Sequence, residues 1–151
     1  MKLTKRGEYG LRALLALAAV YGQKTLSLRQ IALQEKIPGK FLEQIMMVLK
    51  QSGFVDSVKG KHGGYSLSRS PKTVMVGEII RAVDGPLAPI GTAKEIEKRI
   101  QRDDRHPGLY AVLLDVRNAI SGILDPMSLA DICEKSLEIA HSRPARQMYY
   151  I

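Results

Sequence analysis

The feature that most constrains the fold is a block of thirty residues, 26–55, followed directly by the glycine-rich segment 58–67. The block has the pattern of two short amphipathic helices joined by a tight turn at Lys36–Pro38, with Ser27 placed to cap the first of them. In the segment 58–67, three glycines allow the positive φ angles that a tight loop between two strands needs. Together the two parts predict a helix-turn-helix with a β-hairpin wing, an arrangement typical of DNA-binding domains.

A glycine-rich loop with lysines also raises the alternative of a phosphate-binding nucleotide loop. That site needs a strand before the loop, a helix after it, and a Gly-Lys ending followed by Ser or Thr. Here Gly64 is followed by Tyr65 and a second strand-like stretch. The sequence therefore favours the wing.

The rest of the chain predicts a mainly α-helical protein. A first helix is expected over residues 5–21 with Thr4 as its N-cap, and a long amphipathic helix over 108–124 precedes a last helix that Ser128 caps. We expect three regions: a winged helix-turn-helix domain over residues 1–84, a linker over 85–107 with a short helix near 93–102, and a dimerisation helix, last helix and tail over 108–151.

The net charge of +8 is concentrated in one half of the chain. Residues 1–75 contain 13 Lys and Arg against 4 Asp and Glu, whereas residues 76–151 contain 10 against 11. Because the excess positive charge coincides with the helix-turn-helix pattern, a polyanionic partner is favoured, and nucleic acid most of all.

The cysteine content and the N-terminus bear on the compartment. A single cysteine, Cys133, excludes a disulfide framework within the chain and fits a reducing cytoplasm. The basic residues before the apolar stretch 13–20 resemble a signal peptide, but Glu8 and Arg12 interrupt the segment and its apolar residues have helical spacing. We expect a cytoplasmic protein with no cleaved signal and no membrane span.

The residues that would read DNA follow from the geometry of a recognition helix. Side chains near the N-terminus of such a helix reach base edges, so Lys40, Glu43 and Gln44 are the candidates. Gln can read adenine through two hydrogen bonds, and Glu can accept from the cytosine amino group. The alternative for Glu43 is an ion pair with Lys40 or Lys50 on a solvated face.

Other candidates would contact the DNA backbone or the minor groove. Lysines on a wing suit the strongly negative minor groove or its phosphates, and polar groups on the first helix can fix position without reading sequence. These candidates are Lys59 and Lys61 on the wing, Thr4, Lys5 and Tyr9 at the first helix, and Arg29 at the start of the second.

Four ordered blocks give a family resemblance that covers nearly the whole chain. LTKRGEYGLRALLALA, IPGKFLEQIMMVLKQSGFV, VKGKHGGYSLSR and VGEIIRAVDGP resemble the Rrf2 family of bacterial winged-helix transcription regulators. The resemblance implies a homodimer formed by crossing the long C-terminal helices, bound to a palindromic operator. It also implies base reading through Glu43 and minor-groove contact through Lys59. Because family members often carry Ser and Tyr where this chain has Pro38, Lys40 and Phe41, hydroxyl contacts are not carried over.

The resemblance also raises the question of an iron–sulfur cluster. Cluster-sensing members of the family hold it with three cysteines in the loop before the long helix, and residues 85–107 contain none. Cys133 lies on the last helix, and one thiolate cannot supply the usual ligand set. We expect no cofactor and no metal. The alternative is a redox- or iron-responsive regulator with atypical ligands, in which a cluster bridges both subunits through Cys133 and non-cysteine ligands. His106 with Asp103 and Asp104 could contribute nitrogen and oxygen ligands.

The C-terminal segment, Met-Tyr-Tyr-Ile, is similar to the ends of the cysteine-metabolism repressors of this family. In that branch the regulator is partnered by cysteine synthase, whose active site accepts a C-terminal isoleucine peptide. The resemblance implies that Ile151 anchors in such a partner, with Tyr149 and Tyr150 adding contact area. The alternative is that this segment packs back on the dimer.

The sequence contains no convergent Ser/His/Asp, Cys/His or paired-carboxylate arrangement, so an enzyme is the least expected class. We interpret the chain as a dimeric, sequence-specific transcriptional repressor. A basic module that binds nucleic acid or protein without reading sequence is the alternative from another class.

Overall fold

The protein was analysed as a computed structural model that describes residues 1–88, 91–102 and 105–144. Within these ranges it is mainly α-helical with one small antiparallel sheet, as expected. The elements are α1 Lys5–Ala19, α2 Leu28–Glu35, α3 Gly39–Gln51, β1 Val55–Val58, β2 Gly64–Leu67, the 3₁₀ turn η1 Pro71–Thr73, α4 Val76–Asp84, α5 Ala93–Gln101, α6 Pro107–Leu124 and α7 Leu129–Ser142.

The N-terminal half forms the predicted winged helix. Helices α1, α2 and α3 pack around Leu14, Ile31, Leu42 and Ile45, all of which are fully buried. The two strands pair with Val55 opposite Leu67, and a helix does not follow the glycine loop. The prediction of a wing is therefore confirmed over the phosphate-loop alternative.

Local signals in the sequence explain where the helices begin and end. The Ser27 hydroxyl accepts a hydrogen bond from the backbone N–H of Gln30, whose side chain accepts from the Ser27 N–H. Thr4 caps α1 in the predicted way. The first helix ends at Ala19, two residues before the expected boundary, and η1 was not predicted.

The last helix returns to the N-terminal half of the molecule. Val76 N–H donates to the Met127 carbonyl at 2.8 Å, and Leu129 N–H donates to the Val74 carbonyl at 3.0 Å. These bonds place α7 against α1 and η1. Regions that are distant in sequence thus share one body, and the three-region division stays a prediction.

One face of α6 has no partner within the described residues, and none of its residues is fully buried. Four large apolar side chains on this face are 49–64% exposed. They recur at steps of three, four and seven residues, and the exposed Ala119 lies on the same face between the last two. We call this row the α6 seam: Leu109, Val112, Val116 and Ile123. In the described part of the chain, no helix is long and apolar enough to cross a bilayer.

Candidate nucleic-acid interface

The rotation of α3 is fixed by its apolar face. Leu42, Ile45 and Leu49 have no exposed surface, so the opposite side of the helix must face solvent. That side carries Lys40, Glu43, Gln44 and Met47, all exposed. The structure thus brings the three predicted base-reading residues to one surface.

The N-terminus of α3 is suited to binding an anion. Lys36 takes the left-handed conformation with φ 54°, and the chain then reaches Pro38, the N-cap, which makes no side-chain cap hydrogen bond. The first N–H groups of α3 therefore have no side-chain acceptor at the cap, and the positive end of the helix dipole faces outward. A DNA phosphate can supply the missing acceptor.

Glu43 makes no ion pair and no side-chain hydrogen bond with any described residue. Lys50, one of the two partners considered for it, donates instead to Ser57 Oγ at 2.6 Å. That contact ties the end of α3 to β1. The Glu43 carboxylate is consequently left with its hydrogen-bonding capacity directed to solvent.

The wing presents Lys59 and Lys61 as exposed side chains in a tight turn. Gly60 has φ +118°, and Gly63 N–H donates to the Gly60 carbonyl at 3.0 Å. A Cβ on Gly63 would lie 2.1 Å from the Val58 carbonyl oxygen, so only glycine fits there. The glycines are thus required by the backbone of the turn.

The wing is also anchored to the start of α2. Leu26 and Tyr65 exchange backbone hydrogen bonds of 3.0 and 2.7 Å, and the Thr25 hydroxyl donates to the His62 carbonyl at 3.2 Å. A cleft of about 630 Å³ lies between these segments, lined by Lys24, Thr25, Ser27, Gln30, Lys61, His62 and Gly63. Sequence reasoning had not selected Lys24 or His62, because their proximity to Lys61 depends on the pairing of Leu26 with Tyr65.

The N-terminus of α1 reaches the first turn of α3. The ring of Tyr9 meets that of Phe41 edge to face, with centroids 5.7 Å apart. The Nζ atom of Lys5 lies 5.7 Å from the Tyr9 ring centroid and 3.4 Å from a Glu8 carboxylate oxygen. Lys5 and Tyr9 therefore lie beside the recognition helix, as a backbone-contacting role requires.

Thr4 and Arg29 differ in how available their donors are. The Thr4 hydroxyl donates to Asp84 at 2.5 Å, and its backbone N–H donates to the same carboxylate at 3.1 Å. A phosphate contact from Thr4 would have to compete with Asp84. Arg29 is exposed in the first turn of α2 and has no ion pair among the described residues.

The remaining candidates lie away from this surface. Cys133 on α7 is half-buried, and burial raises the pKa of its thiol. Within the described ranges, no group of three or more His, Cys, Asp or Glu side chains is placed to hold a metal ion. Asp103, Asp104, Tyr149, Tyr150 and Ile151 lie outside the described residues.

The chain is similar to known transcriptional regulators. Residues 3–135 match the family model Rrf2, described as an iron-dependent transcriptional regulator. The chain is 31% identical over 132 residues to the HTH-type transcriptional regulator CymR of Bacillus subtilis (strain 168), covering 87% of this chain and 89% of the relative.

Two solved structures resemble the whole fold. The structure of CymR, the global cysteine regulator of B. subtilis, has a TM-score of 0.77 at 30% identity, covering 89% of this chain and 98% of that one. IscR of T. potens has a TM-score of 0.72 at 31% identity, covering 99% and 97%.

Proposed function

Because the chain belongs to the Rrf2 family of transcriptional regulators, we propose that it represses transcription as a homodimer bound to a palindromic operator. It is a DNA-binding transcriptional regulator, like its helix-turn-helix relatives. The repressor role, the homodimer and the operator symmetry are our proposals, as are a cytoplasmic location and the lack of enzymatic activity.

One observation carries the proposed way of reading DNA. The exposed row of α3, the lysines of the wing and the N-terminus of α1 are held together by direct contacts, Tyr9 with Phe41 and Lys50 with Ser57. We call this surface the reading face, formed by Lys40, Glu43, Gln44, Lys59 and Lys61. Its exposed side chains, with three lysines against one glutamate, suit a helix in the major groove with the wing beside it.

The α6 seam supports the homodimer. Exposed apolar residues at steps of three, four and seven match the contact row of a two-helix interface. A second copy of the same helix would bury this row, and a two-fold interface of this kind is self-complementary. Two reading faces related by a two-fold axis would then match the two halves of a palindrome.

Glu43→Ala and Lys59→Ala should have different effects on DNA binding. Loss of a base-reading carboxylate should relax the choice at one base pair of each half-site, where a correct contact is worth about 1–3 kcal/mol. Loss of a phosphate contact should weaken binding to all sequences and reduce the salt slope by about 1 for each wing. Sequence selection from a randomised operator library, followed by titration at several salt concentrations, measures both effects.

Each variant is a control for the other. Both remove one exposed charge from the reading face, a negative one in Glu43→Ala and a positive one in Lys59→Ala. If Glu43→Ala selects the same operator as the original chain with unchanged preference at every position, its base-reading role is wrong. If Lys59→Ala alters preference at one position instead, the roles of wing and helix have been exchanged.

We propose that the regulator works without an iron–sulfur cluster, although the family model is described as iron-dependent. The argument is the donor set: Cys133 is the single cysteine of the chain, and clusters of this kind need several thiolates. Protein purified without oxygen should be colourless and contain no stoichiometric iron. A visible charge-transfer band with bound iron would contradict this proposal.

We also propose that residues 149–151 contact a protein partner of the cysteine synthase type. The support is the sequence similarity of this segment to the ends of cysteine-metabolism repressors, together with 31% identity to CymR. A pull-down with purified cysteine synthase should succeed with the full chain and fail after deletion of Ile151. Equal retention by both forms would exclude this role for Ile151.

A further inference from the structure

A small cavity lies where the end of α4 meets α6. Its volume is about 280 Å³, below the usual range for drug-sized ligands, so it limits an occupant to a small molecule. The cavity is lined by Arg81, Gly85, Pro86, Leu87, Gly91, Thr92 and Arg117. Both charged residues in this lining are arginines, and no carboxylate is among the described lining residues.

The Arg81 guanidinium is already paired. It donates to the two Asp125 carboxylate oxygens at 2.6 and 3.0 Å, and to the Ser121 hydroxyl at 3.3 Å. These hydrogen bonds from Arg81 hold the pKa of Asp125 below its usual value, and the same contact raises the pKa of Arg81. The Asp125 carboxylate is thus hydrogen-bonded to Arg81, and the nearby charge of Arg117 also lowers its pKa.

Arg117 has no such partner. Within the described residues its only side-chain hydrogen bond runs to the amide oxygen of neighbouring Asn118, at 3.1 Å. A guanidinium has five N–H donors in a planar fork that matches carboxylate and phosphate oxygens. Arg117 therefore leaves N–H donors without an acceptor among the described residues, beside the cavity.

Thr92 and Glu95 complete the electrostatics of the cavity rim. The Thr92 hydroxyl and N–H both donate to the Glu95 carboxylate, at 3.1 and 2.7 Å. These bonds lower the pKa of Glu95, and the charges of Arg99 and Lys98 lower it further. Among the described residues the Glu95 carboxylate is hydrogen-bonded to Thr92 alone, and it makes no ion pair with Arg117.

We propose that this cavity binds a small oxyanion, a carboxylate or a phosphate, held by the Arg117 guanidinium and attracted also by Arg81. The site is independent of the reading face, since its residues belong to α4, α6 and the segment that leads into α5. A carboxylate and a phosphate both accept paired hydrogen bonds from a guanidinium, and the experiment below distinguishes them.

The position of the site gives the anion a regulatory effect, which rests on the proposed function. The Arg81–Asp125 pair joins α4, part of the winged domain, to the C-terminal end of α6. A bound anion competes with Asp125 for Arg81 and so loosens the connection between the reading face and the α6 seam. The anion should consequently change operator affinity.

Isothermal titration of the full chain without DNA tests the site. Inorganic phosphate and succinate are each titrated at constant ionic strength; saturable binding of one of them identifies the source. Arg117→Gln should weaken that binding at least tenfold, whereas Asp125→Asn should strengthen it because Arg81 is released. Lys135→Gln on α7 removes an equivalent charge outside both the cavity lining and the reading face, and it should leave the binding unchanged.

Outcomes that overturn the site are equally specific. Absence of saturable binding of both anions contradicts the site, and so does binding that Arg117→Gln leaves unchanged or that Lys135→Gln weakens equally. Melting curves of Arg117→Gln and Arg117→Lys establish that the variants fold, and the Lys variant keeps the charge without the fork. Operator titration with and without the bound anion measures the coupling. If Arg117-dependent anion binding occurs but operator affinity is the same in both titrations, the coupling is wrong while the site stands.

Discussion

Val116→Asp should convert the proposed homodimer to monomers and lower operator affinity by about 100-fold or more. Val116 lies at the middle of the α6 seam and is 49% exposed in the single chain, so a carboxylate there is tolerated by the monomer. In the dimer the same position would bury two like charges without partners, which is costly. Because each monomer then holds only one half-site, the gain from binding both halves together is lost.

Asn118→Asp is the matched control for this variant. Asn118 is exposed on the same helix but outside the seam, and its side-chain oxygen already accepts a hydrogen bond from Arg117. Because its carboxylate lies beside Arg117, this variant controls for the oligomeric state alone, and it should remain dimeric. Sedimentation velocity and DNA titration measure both forms, and a dimeric Val116→Asp that binds normally would place the interface elsewhere.

Operator affinity should also fall steeply with salt, on the order of 10³ or more between 50 and 200 mM. A dimer that neutralises roughly 6–10 phosphates releases a similar number of counterions, and the slope of log affinity against log salt is about −0.9 for each contact. The exposed lysines of the two reading faces and the free N-termini of the two α3 helices supply such contacts.

Neutralising a lysine outside the reading face controls for net charge. Lys135→Ala on α7 lowers the charge of the chain by the same amount as Lys59→Ala, but its salt slope should match that of the original chain. A salt slope near zero for the original chain would mean that phosphates contribute little to its binding. Equal slopes for Lys59→Ala and the original chain would mean that Lys59 does not contact a phosphate.

Local patterns predicted the winged half because each signal acts over a few residues. The apolar spacing of α3 determined which side faces solvent, and Ser27 as an N-cap marked the start of α2. The glycines of the wing predicted a tight turn for the same reason. These features need no knowledge of the rest of the chain.

Contacts between distant residues were not predictable in this way. Thr4 was predicted to contact the DNA backbone, and nothing in the sequence indicated that its hydroxyl is bonded to Asp84, eighty positions along the chain. The apolar row of α6 was interpreted as one face, but Ile120 packs with Leu124 against α4 whereas Leu109 and Val116 stay exposed. Which side of a helix meets its own chain, and which is left for a second copy, depends on the tertiary arrangement.

The most direct test of the central claim is an equilibrium competition between operator and random DNA. The operator is obtained by selection from a randomised library, and unlabelled random duplex of equal length is titrated against it at 150 mM salt. For a sequence-specific regulator, random duplex should need an excess on the order of 10³-fold or more to displace the operator. Displacement at equal concentrations would contradict sequence-specific reading and favour a basic module that binds without selecting a sequence.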